Sequence, residues 1–255
     1  MSLDTSLSSV LADQGYLRER LQPRRGDDFY LHLVDLLAAL RPITADPAET
    51  VLDYGCGGSP YRRLFSQRTY HRTDLPGTPG LDHAMDEAGR VDAPDASYEL
   101  VLCTQVLEHV RHPGAVLREC LRLLKPGGRL VVTTHGLFEE HGCPADFRRW
   151  TADGLAAEMQ DAGAQNVRVQ KITFGGRAWM FFMDRWSCCL TGLRSQQGRR
   201  GMQLVLGLWR RLQPAWHRLA DALFAHQAVA PAGTADSMIY VGLMAVGEKP
   251  TQAPE

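Results

Sequence analysis

A short apolar segment, residues 51–54, runs directly into three closely spaced glycines, Gly55, Gly57 and Gly58. Glycine permits a tight turn and lets the backbone approach a ligand closely. The Gly-x-Gly-Gly spacing differs from the Gly-x-Gly-x-x-Gly pattern that cradles a pyrophosphate. Asp53, just before the glycines, would repel a phosphate and attract an ammonium group. This loop therefore predicts a cationic amino-acid cofactor rather than a dinucleotide, although the glycines alone would also suit a plain tight turn.

Asp74 follows a second predicted strand, residues 69–73, about 20 positions after the glycine loop. In dinucleotide-binding folds an acid at this position binds the ribose hydroxyls, and the same chemistry serves any adenosine ribose. The alternative is a turn residue that precedes Pro76.

The elements that must position these residues alternate along the chain. Strands are predicted at 50–54, 69–73, 98–103, 129–134, 166–172 and 237–246, and helices at 59–65, 113–124 and 151–162. This alternation predicts an α/β fold with a parallel sheet and helices on both faces. The predicted domain comprises residues 48–174 and 234–249. A helical segment (1–47) precedes it, a helical insertion (175–233, broken at Gly198 and Gly201) interrupts it, and a tail (250–255) follows.

Four motifs occur in a fixed order: Val51-Leu-Asp-Tyr-Gly-Cys-Gly-Gly58, Asp74, residues 95–110 and residues 121–130. In this order they resemble the motifs of class I S-adenosylmethionine (SAM)-dependent methyltransferases. The resemblance extends to about residue 172. It implies a Rossmann-like, mostly parallel sheet of seven strands, with SAM as cofactor and methyl transfer as the activity.

The resemblance also implies roles for individual residues. Asp53 and the glycine backbone would hold the methionine end of SAM, and Asp74 the ribose. Asp86 is the first candidate for the acid that contacts adenine, with Asp82 and Asp92 as alternatives. The residues that would line the methyl-transfer region are Cys103, Thr104 and Gln105.

Two histidines are candidates for a general base, which an oxygen or nitrogen acceptor can require. His141 is the first candidate and His135 the second; the alternative for each is a structural histidine bonded to the loop backbone. The segment from His141 to Thr151 resembles a His-x-x-Pro-x-Asp-x-x-Arg-x-Thr pattern of bacterial methyltransferases associated with glycan and natural-product pathways. This resemblance implies a small-molecule or glycan-type acceptor, methylated on O or N.

The pattern Gln105-x-x-Glu108-His109 resembles the Glu-x-x-Glu-His metal motif of small-RNA 3′-terminal and quinone O-methyltransferases. On a helix these three side chains would share one face, and with His135 or His141 they could hold a divalent ion. Glu-His also occurs at this place in members without a metal. We therefore predict no metal, with Glu108 and His109 as the alternative ligands.

Residues 175–226 combine tryptophans and leucines with eight arginines against two aspartates. The block has four interpretations: a substrate-binding cap, a basic amphipathic surface on an anionic membrane, a homodimer interface, or a helical subdomain with solvated arginines. Among the functional interpretations the cap is favoured and the membrane contact comes next.

The bulk properties restrict the function classes. A net charge of −1 disfavours nucleic acid as a partner, and with it an RNA methyltransferase. The six cysteines form no Cys-x-x-Cys pair, and neither a signal peptide nor an apolar spanning stretch is recognised, so a cytoplasmic biosynthetic enzyme is expected. A SAM-fold binding or scaffold protein without activity stays as an alternative, and a nicotinamide dehydrogenase is a weaker one.

Overall fold

The computed structural model describes residues 14–45, 47–143, 145–192, 199–234 and 237–251. Its centre is one eight-stranded sheet in the order β3-β2-β1-β4-β5-β8-β6-β7. The strands are β1 (Thr50–Tyr54), β2 (Thr69–Asp74), β3 (His83–Ala84), β4 (Tyr98–Thr104), β5 (Leu124–His135), β6 (Gln165–Phe174), β7 (Val229–Pro231) and β8 (Tyr240–Glu248).

The first five strands pair in parallel, which confirms the predicted α/β class. Strand β8, the last in sequence, lies between β5 and β6 and is antiparallel to both. The sheet has eight strands rather than the predicted seven, because β7 pairs with residues 170–172 of β6. Strand β7 lies inside the segment 175–233, which we predicted to be a helical insertion. With only three residues, the last of them a proline, β7 is too short to show the alternating pattern that predicts a strand.

The described residues include six α-helices around the sheet: α1 (Gln14–Leu21), α2 (Tyr30–Leu40), α3 (Pro113–Leu123), α4 (Ala152–Asp161), α5 (Gly175–Gly192) and α6 (Arg199–Phe224). Thr151 is the N-cap of α4, since its side chain accepts a hydrogen bond from the Gly154 amide. The predicted helix at 59–65 is a 3₁₀ turn, Pro60–Phe65. Gly201 lies inside α6 and does not end a helix, whereas Gly198 lies outside the described residues.

Helix α2 is almost wholly buried because its apolar residues face both the sheet and the inserted helices. Leu36, Leu37 and Leu40 join the core on one face of the sheet. Tyr30 and Leu31 instead pack with Phe181 of α5 and Ala220 of α6. Helix α2 is therefore the platform on which the insertion rests. The preceding residues 1–13 lie outside the described part of the chain.

A buried ion pair ties the insertion to this platform. Arg177 of α5 is only 2% exposed, and its Nε lies 2.7 Å from Asp35 of α2. Its Nη1 lies 3.1 Å from Asp221 of α6. Burial raises the pKa of Asp35 to about 6, and the arginine opposes that rise. Arg177 is thus a structural residue that holds α5 to α2 and α6.

A second buried polar contact sets the rotation of α6. His217 Nε2 lies 3.0 Å from Asp184 Oδ2, and His217 Nδ1 accepts a hydrogen bond from the Gly26 amide. Because buried polar groups are costly to leave unpaired, this contact fixes which face of α6 points inward. None of the helices found in the described ranges is long and apolar enough to cross a bilayer.

Candidate active site

The glycine loop lies at the carboxyl end of β1, as predicted. Gly55 has φ 67° and Gly57 has φ 50°, in the left-handed region that favours glycine. A Cβ on Gly55 would lie 2.6 Å from the side chain of Val106, which follows β4. Gly55 is therefore required both by the turn and by the close approach of the neighbouring segment. Gly58 belongs to the same turn.

Asp74 lies at the end of β2, beside this loop. Its Oδ2 accepts a 2.6 Å hydrogen bond from the Gly57 amide, and its Oδ1 accepts one from the Leu75 amide. Burial raises the pKa of Asp74. The two sequence-predicted features, glycine turn and downstream acid, thus form one structural unit.

Asp53 lies on β1 and is 1% exposed. Its Oδ2 accepts a 2.6 Å hydrogen bond from the Tyr70 hydroxyl. Its Oδ1 is buried and has no hydrogen-bond partner among the described residues. Burial raises the pKa of Asp53 to about 7. An unpaired buried carboxylate oxygen is costly, and a cationic group such as an ammonium would remove that cost. This observation fits the methionine end of SAM.

The three candidate adenine acids lie near the start of the third strand. Asp86 is exposed, and its Oδ1 accepts hydrogen bonds from the Ala88 and Arg90 amides of its own turn. Asp82 accepts one from the Arg72 amide, and Asp92 is exposed. None of these contacts selects one acid, so the adenine role of Asp86 stays a prediction.

Strand β4 ends in Cys103, which is fully buried, and Thr104. Gln105 follows with φ 56°, an uncommon conformation for a residue other than glycine that often marks functional sites. Its amide donates to Thr133 O at 2.8 Å and its side chain contacts Thr133 Oγ1. The segment then forms a 3₁₀ turn, Leu107–His109, rather than the helix on which a shared metal-binding face depended. The expected helix through residues 105–109 is not formed, because the positive φ of Gln105 is incompatible with a continuous right-handed helix.

Glu108 and His135 form a buried pair at the ends of β4 and β5. Glu108 Oε2 accepts a 2.8 Å hydrogen bond from Thr134 Oγ1, and Oε1 lies 3.2 Å from His135 Nε2. Burial raises the pKa of Glu108 to about 7. Burial also lowers the pKa of His135 well below its usual value, so its imidazole is neutral at physiological pH. His135 is only 4% exposed, so its ring is poorly accessible to a substrate.

His141 is partly exposed and lies against this pair, with its ring 5.1 Å from that of His135. Its Nδ1 lies 3.2 Å from Glu139 O and 3.5 Å from Asp146 Oδ2. Nδ1 therefore carries the proton when the ring is neutral, and Nε2 is left as a hydrogen-bond acceptor. This is the arrangement that a general base needs.

Asp146 and Arg149 hold the loop that carries His141. Arg149 contacts both carboxylate oxygens of Asp146 at 2.6 Å, and its guanidinium also donates to the carbonyls of Phe138 and Glu139. An arginine that binds both oxygens of a carboxylate fixes the relative orientation of the two side chains. The Arg149 guanidinium holds the pKa of Asp146 well below its usual range. These contacts tie Phe138, Glu139, His141 and Asp146 together in the loop that follows β5.

Potential metal-ligand atoms of Glu108, His135 and His141 lie within 4.8 Å of one another. Such a set suits a transition metal such as zinc or iron. His109 is not part of this set, and its Nδ1 lies 2.7 Å from Ala145 O. If an ion binds here, its ligands differ from the predicted pair of Glu108 and His109.

Helix α5 contacts the same loop. Arg185 Nη2 lies 2.7 Å from Glu139 Oε1 and its Nε lies 3.1 Å from Oε2. The ring of Phe181 stacks on Phe138 at 5.9 Å, and Phe138 stacks on His135 at 3.9 Å. Sequence reasoning missed Arg185 and Glu139, because nothing local indicates that residues so far apart pair.

The fold and the site define a class I SAM-dependent methyltransferase. A family described as methyltransferase domain matches residues 21–169, and the chain belongs to this family. Ubiquinone biosynthesis O-methyltransferase of Xylella fastidiosa is 31% identical over 122 residues, covering 38% of this chain and 50% of the relative. The chain thus spans about half the length of the curated relatives it matches. S-adenosylmethionine is the cofactor of this class, and the residues around Asp53 fit it.

Two solved structures share the fold. A Haloferax volcanii methyltransferase, described as putative and in complex with the activator Trm112, has a TM-score of 0.55 at 17% identity, covering 98% of this chain and 100% of that one. The [4+2]-cyclase SpnF has a TM-score of 0.51 at 21% identity, covering 88% of this chain and 83% of that one. At this identity the likeness concerns the fold alone.

Proposed function

We propose that this protein transfers the methyl group of SAM to a hydroxyl or amine of a small molecule or a glycan- or natural-product-type intermediate. His141 accepts the proton that the acceptor loses. The observation that supports this proposal is the orientation of His141 by Asp146 and Glu139, which leaves Nε2 for the substrate.

SAM supplies an activated methyl group on a sulfonium, so much of the catalysis is positioning. In this proposal Asp53 pairs with the ammonium group, and the backbone of the glycine loop holds the methionine end. Asp74 hydrogen-bonds the ribose, and Asp86, or else Asp82 or Asp92, contacts adenine. Cys103, Thr104 and Gln105 line the methyl-transfer region.

The acceptor side of the site consists of the loop 135–151 and helix α5. His135 with Glu108 supports the ring of His141, while Arg185 and Phe181 place the insertion over the loop. Residues 175–233 thus act as a cap over the acceptor. Because the curated relatives are described as O-methyltransferases, a hydroxyl is the favoured acceptor group. A cytoplasmic, biosynthetic role belongs to the same proposal.

A second candidate is a protein that keeps the fold without methyl transfer. The likeness to a cyclase shows that this fold supports other chemistry. The unpaired, buried Asp53 oxygen favours an active SAM site over a scaffold that has lost it.

The first test is calorimetric titration of the protein with SAM and, separately, NADH. Binding of SAM alone is expected; binding of NADH alone overturns the proposal. The second test incubates the protein with SAM labelled in the methyl group and a metabolite extract divided into small-molecule and RNA fractions. Label is expected in small molecules only, whereas label in RNA points to an RNA methyltransferase. Tight SAM binding with no transfer to any fraction supports the scaffold alternative.

A further inference from the structure

Helix α6 carries a row of exposed apolar side chains. They lie three, four, seven and four residues apart, so they share one face of the helix. Each is between 46% and 59% exposed: Val205, Leu208, Leu212, Leu219 and Leu223. Monomeric proteins rarely leave such a continuous apolar surface uncovered, and where they do it marks an interaction site.

The apolar surface continues onto α5. Trp179 is 56% exposed and Trp186 is 59% exposed, and the two are seven residues apart on the same side of the helix. The ring of Trp179 lies 6.3 Å from that of Trp216 on α6, so the exposed tryptophans adjoin the leucine row. We call this surface, from Trp179 and Trp186 to Val205, Leu208, Leu212, Leu219 and Leu223, the outer face.

The outer face is not the result of a poorly held helix. Leu206, Gln213, His217 and Ala220 of α6 are buried against the protein, and the His217–Asp184 contact fixes the rotation of the helix. The insertion therefore has two apolar sides. The inner side packs on α2 and, through Phe181, on Phe138, and the outer one faces solvent.

Positive charge flanks the outer face. Arg211 and Arg218 are exposed on α6 beside this face. The single carboxylate of this helix, Asp221, is already paired with Arg25 and Arg177. An apolar stripe with tryptophans beside arginines matches the chemistry of a bilayer surface with anionic lipids. Leucines enter the acyl boundary there, indole rings lie at headgroup level, and guanidinium groups meet phosphate.

We propose that the outer face binds the surface of an anionic lipid bilayer, with α5 and α6 lying in the membrane plane. This inference does not depend on the identity of the methyl acceptor. It does place the cap between the bilayer and the acceptor loop.

Flotation with vesicles tests the proposal on the full chain. The wild-type protein is expected to float with vesicles that contain phosphatidylglycerol, and less so with phosphatidylcholine alone. Arg211→Gln with Arg218→Gln is expected to lower partitioning by about fivefold for each arginine. The matched control replaces two exposed arginines on other elements, Arg63→Gln with Arg118→Gln. It is expected to float like the wild type.

Leu212→Gln with Leu219→Gln removes apolar surface and is expected to lower partitioning more than tenfold. Because both leucines are exposed, this variant should keep the wild-type melting temperature and SAM affinity. Failure of the wild type to float on anionic vesicles overturns the proposal, as does flotation that the double leucine variant leaves unchanged. A wild-type dimer that this variant converts to a monomer, without flotation, assigns the outer face to a second copy instead. SAM binding, measured on the same samples, separates these outcomes from a failure of the proposed function.

Discussion

Arg185 of the inserted helix donates two hydrogen bonds to Glu139, two residues before His141. The pair connects the insertion to the acceptor loop, and it is partly shielded because the side chains are 14% and 34% exposed. The insertion thereby acts on the loop that carries the proposed base, and this connection can be tested separately from cofactor binding.

Glu139→Gln is expected to raise the KM for the acceptor about fivefold, since a partly exposed ion pair contributes about 1 kcal/mol. The Kd for SAM should not change, because the pair lies away from the glycine loop. Steady-state kinetics and calorimetry measure the two quantities. Glu140→Gln, next to it and exposed, is the matched control. Equal effects of both variants, or weakened SAM binding, would contradict a cap held by this pair.

Asp74→Asn is expected to weaken SAM binding at least tenfold. A charged hydrogen-bond acceptor contributes about 1.5–3 kcal/mol, and this carboxylate also holds the Gly57 amide. Calorimetry gives the Kd, and thermal unfolding checks that the loop stays folded. Asp161→Asn, an exposed aspartate at the end of α4, is the control. An unchanged Kd for Asp74→Asn would show that the ribose is held elsewhere.

The pKa of about 7 for Asp53 predicts pH-dependent cofactor binding. The ionised form pairs with the SAM ammonium, which stays charged below pH 7. SAM affinity should therefore rise roughly tenfold between pH 5.5 and 7. Conversely, this raised pKa stabilises the unliganded fold at low pH, and that stabilisation is lost as the pH rises through 7.

Two variants check the assignment to Asp53. Asp53→Asn should bind SAM weakly and lose the pH dependence. Tyr70→Phe removes the hydrogen bond that opposes the rise in pKa, so the midpoint of the binding curve should move to higher pH. A pH dependence that survives in Asp53→Asn belongs to another group.

His141→Ala is expected to lower kcat by about 100-fold, the ordinary contribution of a general base. SAM affinity should stay at the wild-type value, because the ring lies on the acceptor side. The control is His112→Ala, which changes an exposed histidine outside the site. Full turnover of His141→Ala on the acceptor would remove His141 from the mechanism and leave His135 as the candidate.

Turnover is expected to persist after dialysis against EDTA, since the proposed mechanism places the proton on His141 and needs no Lewis acid. The group of Glu108, His135 and His141 makes the experiment informative. Loss of activity that Zn²⁺ or Mn²⁺ restores in the wild type, but not in Glu108→Gln, would show that these residues hold a catalytic ion.

The proximity of Asp53, Gly55 and Asp74 could be predicted from the sequence because the signals are local. Asp53 and Gly55 lie at the end of one strand and Asp74 at the end of the next, so a parallel sheet brings them together. The pairs that position the acceptor side join distant segments. Arg177 and Asp35 are 142 residues apart, and Arg185 and Glu139 are 46 apart. The spacing of apolar and polar residues along the sequence does not indicate which distant side chains pair.

The spacing of Gln105, Glu108 and His109 is a local pattern that led to a wrong prediction, because the backbone is not helical there. Spacings of three and four predict a shared face only on a helix, and the positive φ of Gln105 starts a 3₁₀ turn instead. His109 consequently faces the backbone of the acceptor loop, and His141 takes the place beside Glu108.

Strand β8 lies between β5 and β6, although both of these strands precede it in the chain. Until it emerges, β5 and β6 each expose an unpaired edge, while α5 and α6 are already outside the exit tunnel. This part of the sheet thus closes only after residues 240–248 have left the ribosome. Nascent chains that stop before residue 240 would therefore be prone to aggregation, even though the glycine loop and Asp74 have already been made.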